Sequence, residues 1–110
     1  MISVIFIVVK FRPKPEYIEN FPDLVAEFTQ ATRNEPGNMW FDWSRSLEDP
    51  SEYVLVEGFR DGAAGKEHVN AEHFKKFIAD TPALLASTPL IISQTVDATG
   101  WSEMGEMKVG

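Results

Sequence analysis

The residues best suited to chemistry are His68 and His73, the two histidines of the chain. An imidazole changes charge near neutral pH, so it is a natural acceptor for the proton of a phenol or quinol hydroxyl. The commoner role for either residue is on a helix surface or at a helix end. Five residues apart on one continuous helix, the two rings would project about 140° from each other. That spacing argues against a joint grip on a metal ion. Asn70, between them, could orient a quinone oxygen or cap the helix that follows. Asn38, just after Pro36-Gly37, is expected in a turn.

Further candidates sit on β-type segments. Trp40 faces one side of an aromatic strand while Phe41 and Trp43 alternate around it. A flat aromatic molecule stacks well on an indole, and core packing uses the same rings equally well. Glu57 and Arg60 flank the end of the next strand. Glu57 is either a buried base with a raised pKa or the ion-pair partner of Arg60 or of Arg45 across the hairpin, and pairing is the expectation.

These side chains need elements to hold them. Residues 2–11 form a nearly continuous run of β-branched and aromatic residues, the pattern of a strand covered on both faces. Pro13 and Pro15 end it. Tyr17, Phe21, Leu24, Val25, Phe28 and Ala31 then follow helical spacing, with Pro22 setting a start near Asn20 or a kink. Pro36-Gly37 closes the helix, and residues 38–46 and 52–59 read as a hairpin around Asp49-Pro50. Asp61 is placed to cap a helix over residues 62–69, and a further helical stretch carries Phe74, Phe77 and Ile78. After Thr88-Pro89, residues 90–96 form the last strand. The order β-α-β-β-α-β predicts an α+β, ferredoxin-like antiparallel sheet with both helices on one face. The domain spans residues 1–97, and residues 98–110 form a polar tail carrying Trp101, Met104 and Met107.

Composition removes several functional classes. The chain has 110 residues, enough for one domain. Seventeen acidic against ten basic residues give a formal charge of −7, which disfavours phosphate backbones and anionic membrane surfaces. The chain has no cysteine, hence no disulfide and no thiolate chemistry, in keeping with a reducing cytoplasm. The apolar N-terminal run lacks a leading positive charge and is far too short to span a bilayer, so it reads as a strand rather than a signal peptide. No phosphate-binding glycine loop, nucleophile elbow or His-carboxylate metal motif is present. Two histidines without cysteine make a dedicated transition-metal site an unexpected feature.

Three strings carry a resemblance. They are Glu35-Pro36-Gly37-Asn38 ahead of an aromatic strand, Tyr53-Val54-Leu55-Val56-Glu57-Gly58-Phe59-Arg60-Asp61, and His68-Val69-Asn70-Ala71-Glu72-His73-Phe74. In this order they resemble the antibiotic biosynthesis monooxygenase superfamily over about residues 2–97. The resemblance implies a homodimer whose two sheets face each other in a closed α+β barrel. The doubly covered first strand independently asks for the same thing, since the helices of so short a chain cover only one face. It also implies that His73, in its His-Phe pair with Phe74, sits near a pocket between helix and sheet. The family includes enzymes that oxidise anthrones and phenols without flavin or metal, quinol monooxygenases, and haem-degrading enzymes. The haem-degrading members use an Asn on the first strand, a Trp in the second helical region and a His four residues after a Phe. Here Phe6 and Ile7, His68 and Ile78 occupy the corresponding places, which argues against that branch.

The resulting expectation is a cofactor-independent, metal-free monooxygenase. It would oxidise a hydroquinone, anthrone or phenol to a quinone with O₂. His73 or His68 would be the base, and Trp40, Trp43, Asn70, Phe74, Glu57 and Arg60 would contact substrate. The partners are then a small aromatic molecule, O₂ and a second copy of the chain, with no nucleic acid and no membrane. Two other classes share the fold: a non-catalytic dimeric module holding an aromatic metabolite, and a non-oxidative isomerase, cyclase or decarboxylase.

Overall fold

The computed structural model describes residues 3–110. Strand β1 spans Val4–Phe11 and is followed by a 3-10 turn at Pro15–Tyr17; the expected start of this strand at Ile2 lies outside the described residues. The first helical region is split into α1 (Phe21–Leu24) and α2 (Ala26–Arg33). Pro22 occupies the first turn of α1, where its missing N–H costs nothing, and the chain turns out of helical geometry at Val25. Strands β2 (Asn38–Arg45) and β3 (Tyr53–Phe59) form the hairpin. Helices α3 (Gly62–Asn70) and α4 (Glu72–Asp80) follow, then a 3-10 segment at Thr81–Leu84 and strand β4 (Leu90–Val96).

The strands form one sheet in the order β2-β3-β1-β4, with every neighbouring pair antiparallel. This is the expected α+β, ferredoxin-like arrangement. Strand alternation then sorts the side chains. Val9, Phe11, Phe41, Tyr53, Leu55 and Phe59 face the helices and are buried. Phe21, fully buried, sits against Phe11, Trp43 and Tyr53 with ring centroids 5.0–6.1 Å away. The phenol of Tyr53 donates to the Ile18 carbonyl at 2.6 Å, tying the entry to α1 to the sheet.

Asp61 caps α3 as the sequence predicts, accepting from the Ala64 N–H at 2.8 Å. The second cap is different. Asn70 does not cap α4. Its amide donates back to the Lys66 carbonyl at 2.9 Å, and Ala71, with φ −72° and ψ 148°, breaks the chain into two helices. The break decides the geometry of the site, because it removes the single-helix relation between His68 and His73.

The opposite face of the sheet carries Phe6, Val8, Val54, Val56, Leu90 and Ile92, as the register dictates. Gly58 lies on this face beneath Trp40, and a Cβ there would stand 2.3 Å from the indole. Trp101 of the tail packs on the same indole, with ring centroids 5.5 Å apart. No helix among the described residues is long and apolar enough to cross a membrane.

Candidate active site

Two successive helices, α3 and α4, converge on one carboxylate from a turn more than thirty residues earlier. Glu35 stands in the turn between α2 and β2. Gly37 lets that turn approach α3 closely, since a Cβ at this position would fall 2.2 Å from the Cβ of Ala64. The Arg60 N–H fixes the turn from the other side by donating to the Gly37 carbonyl at 2.9 Å. So placed, Oε2 of Glu35 meets Nδ1 of His68 at 2.8 Å and Nε2 of His73 at 2.5 Å. His68 belongs to the last turn of α3 and His73 to the first turn of α4. The 140° separation expected on one continuous helix is therefore incorrect: the break at Ala71 swings His73 round to the same oxygen.

His68 is buried, 4% exposed. Its ring lies among Phe28, Phe59 and Phe74, with centroids 4.7–5.9 Å away. Burial pushes its pKa down, opposed by the bond to Glu35 and the Glu35 charge. Its other nitrogen, Nε2, is 3.8 Å from Oε1 of Glu57. Glu57 is 6% exposed and, contrary to expectation, pairs with neither arginine. Arg60 lies at the surface beside Asp61, and Arg45 is taken by Glu19 at 2.7 Å. Without a cationic partner, burial and then the Glu35 charge push the Glu57 carboxyl up to about 7. Both cavity-facing groups are thus biased towards their neutral forms.

With Glu35 as a carboxylate, which only accepts, His68 presents Nδ1–H to it and His73 presents Nε2–H. Neutral His68 then keeps an unprotonated Nε2. That nitrogen lies on the side of a cavity of about 560 Å³ between the sheet and α4. The cavity is walled largely by apolar groups, including Val9, Phe28, Leu55, Phe77 and Ile91, and among the described residues its only ionisable lining groups are Glu57 and His68. Ser87 and Thr88 add hydroxyls on the side of the loop before β4.

The sequence candidates separate on this geometry. His68, Glu57 and Phe74 line the cavity. His73 stands near the cavity, its ring centroid 6.1 Å from that of His68, but does not line it and reaches the site through Glu35. Trp40 is on the far face of the sheet. Trp43 faces the helices but packs between Phe11 and Phe21 and donates its indole N–H to Thr29 at 2.8 Å, outside the cavity lining. Asn70 and Arg60 are exposed and away from the cavity. Asn38 begins β2 rather than ending in a turn, its amide donating to the carbonyls of Trp40 and Gly58.

Glu35 is the residue that sequence reasoning did not single out as functional. Its signal was faint: one acid before Pro36-Gly37, 33 and 38 residues from its two partners.

The profile of the family described as antibiotic biosynthesis monooxygenase matches residues 4–80 of the chain. The chain belongs to this family. The Bacillus subtilis (strain 168) protein YcnE, whose name classes it provisionally as a monooxygenase, is 33% identical over 84 residues, spanning 76% of this chain and 87% of its own length. Among solved structures, Rv0793 from Mycobacterium tuberculosis superposes with a TM-score of 0.79 at 23% identity, covering 88% of this chain and 99% of its own, which supports the fold. A crystal structure named as an antibiotic biosynthesis monooxygenase superposes with a TM-score of 0.73 at 26% identity, over 87% of this chain and 99% of that one. The residues that build the Glu35 cluster and Glu57 all fall within the matched segment.

Proposed function

We propose that this protein is a cofactor-independent monooxygenase that converts an electron-rich aromatic, a hydroquinone, anthrone or phenol, to a quinone with O₂. One observation carries the reading. An apolar cavity of about 560 Å³ has His68 and Glu57 as its ionisable lining groups among the described residues, with Glu35 fixing the tautomer of the histidine from behind.

The chemistry follows from that arrangement. Nε2 of His68 accepts the proton of the substrate hydroxyl, and Glu35, bonded to Nδ1–H, stabilises the imidazolium so formed. The substrate anion gives one electron to O₂, and the resulting pair combines into a carbon–peroxide bond. The ring C–H proton passes to the distal peroxide oxygen as the O–O bond breaks, which leaves a new carbonyl and releases hydroxide. His68 returns its proton to the departing hydroxide. For a phenol with a free ring carbon the sum is ArH(OH) + O₂ → O=Ar=O + H₂O, and the substrate supplies all four electrons. The apolar walls exclude water from the anion and the peroxide.

The same reading includes a second copy of the chain. On the outer face of the sheet, Leu90 and Ile92 are 70% and 67% exposed. They continue an apolar surface formed with Phe6, Val8, Val54 and Val56. A matching sheet from a second chain covers it and closes the barrel. Replacing Ile92→Lys is expected to convert a dimer to monomer in light scattering. An unchanged dimer would show that this face is not the interface.

Oxygen uptake tests the activity. Chelator-treated protein presented with a panel of hydroquinones and anthrones is expected to consume O₂ and yield quinone above the protein-free rate. No uptake across the panel, with ligand retained unaltered, would replace the oxygenase with a binding module.

A further inference from the structure

The Glu35 cluster has a second chemical capacity, on the side of His68 turned away from the cavity. Nδ1 of His68, Nε2 of His73 and a carboxylate oxygen of Glu35 lie within 4.8 Å of one another. They come from three different elements, and their side chains are 5%, 27% and 13% exposed, so the cluster is buried but reachable along the His73 edge. We propose that these three residues form a binding site for a divalent transition cation of the zinc class, separate from the aromatic pocket.

The donor set suits that class. Two neutral imidazole nitrogens and one carboxylate oxygen match Zn²⁺, Co²⁺ or Ni²⁺, while Ca²⁺ and Mg²⁺ require oxygen-rich sites. Three protein ligands leave a fourth position for water on the exposed side. The aromatic rings of Phe28, Phe59 and Phe74 surround His68, and such an apolar collar strengthens the attraction between cation and carboxylate. The charge balance points the same way: the Glu35 carboxylate lies between the two imidazoles, and no Lys or Arg forms an ion pair with it among the described residues.

Glu57 completes the arrangement. Once Nδ1 of His68 holds a cation, the ring's proton resides on Nε2, which faces Oε1 of Glu57 at 3.8 Å. A carboxylate that accepts from the free ring N–H orients metal-binding histidines in many sites, and Glu57 stands on that side of the ring, beyond direct hydrogen-bond distance. The cation therefore turns the cavity-facing nitrogen from an acceptor into a donor, which makes the site a switch on the pocket chemistry. The binding itself does not depend on the oxygenase reading and is measured without substrate.

Chelator-treated full-length chain is titrated with Co²⁺ and followed by its visible absorption, and with Zn²⁺ by calorimetry. One cation per chain is expected, with the intense d–d bands of a four-coordinate Co²⁺ site, and with affinity weakened tenfold or more in His73→Ala and Glu35→Gln. In parallel, ¹⁵N spectra of the unsubstituted protein are expected to show Zn²⁺-dependent shifts at Nδ1 of His68 and Nε2 of His73. This second readout stands even if a variant folds poorly. Absence of binding, binding unaffected by both substitutions, or imidazole nitrogens that do not shift would each overturn the site.

Discussion

His68→Asn is expected to lower turnover of the oxidised aromatic by about 10²- to 10⁴-fold, the range associated with loss of a positioned general base. Asn is the informative choice. Its amide can stand where Nδ1–H stood and donate to Glu35, so the carboxylate keeps a partner, but it offers no basic nitrogen to the cavity. Alanine would instead leave Glu35 and Glu57 facing each other across an apolar gap and would mix a folding defect with a catalytic one. The aromatic walls remain, so KM is expected to move little while kcat falls. His73→Gln should act more mildly, because that ring contacts the site only through Glu35 and lines no part of the cavity. Steady-state oxygen uptake on the two variants distinguishes the roles. Equal losses would mean that the pair acts as one unit, and an unaffected His68→Asn enzyme would remove His68 from proton transfer.

Much of this architecture is legible in the sequence, because the local signals agree with one another. The apolar run of β1, the Asp49-Pro50 turn, the Asp61 cap and the Thr88-Pro89 stop before β4 each have one strong local cause, and the four together fix the element order. The position of Glu57 is also legible. Tyr53, Leu55, Glu57 and Phe59 alternate along β3, so period two alone sets Glu57 on the buried face, out of reach of exposed Arg60. The same alternation places Trp40 and Trp43 on opposite faces of β2, as the sequence predicts. The break at Ala71 is different. Alanine is the best helix former, and its extended ψ here lacks a local sequence cause; the convergence of α3, α4 and the Glu35 turn accompanies it. Glu35 itself was hidden for a related reason, since its role exists only once segments more than thirty residues apart are brought together.

Phe28→Ala is the substitution expected to cost the most stability. Phe28 is 8% exposed and lies flat on Phe77 of α4, with ring centroids 3.8 Å apart and planes 10° from parallel. It also meets Phe41 of β2 edge-on at 5.6 Å. It is thus the joint between α2, α4 and the sheet, and removing its ring takes away that packing and enlarges the cavity it walls. Buried Phe→Ala changes cost about 3–5 kcal/mol. Against a total stability of about 5–15 kcal/mol for a domain of this kind, that loss lowers the unfolding temperature by on the order of 15 °C. Phe28→Leu keeps most of the volume but loses the stacked geometry, and a smaller loss is expected. The site should respond as well. Phe28 lies 5.9 Å from the ring of His68 and 6.2 Å from that of His73, so it helps hold both imidazoles over Glu35. Activity of the alanine variant, assayed well below its unfolding temperature, should therefore fall along with its stability. Should urea and thermal unfolding place Phe28→Ala within a degree or two of the parent, the α2–α4 contact is not what carries the helix layer. The rigidity of the histidine cluster would then have to come from the Glu35 turn and its close approach to α3 at Gly37.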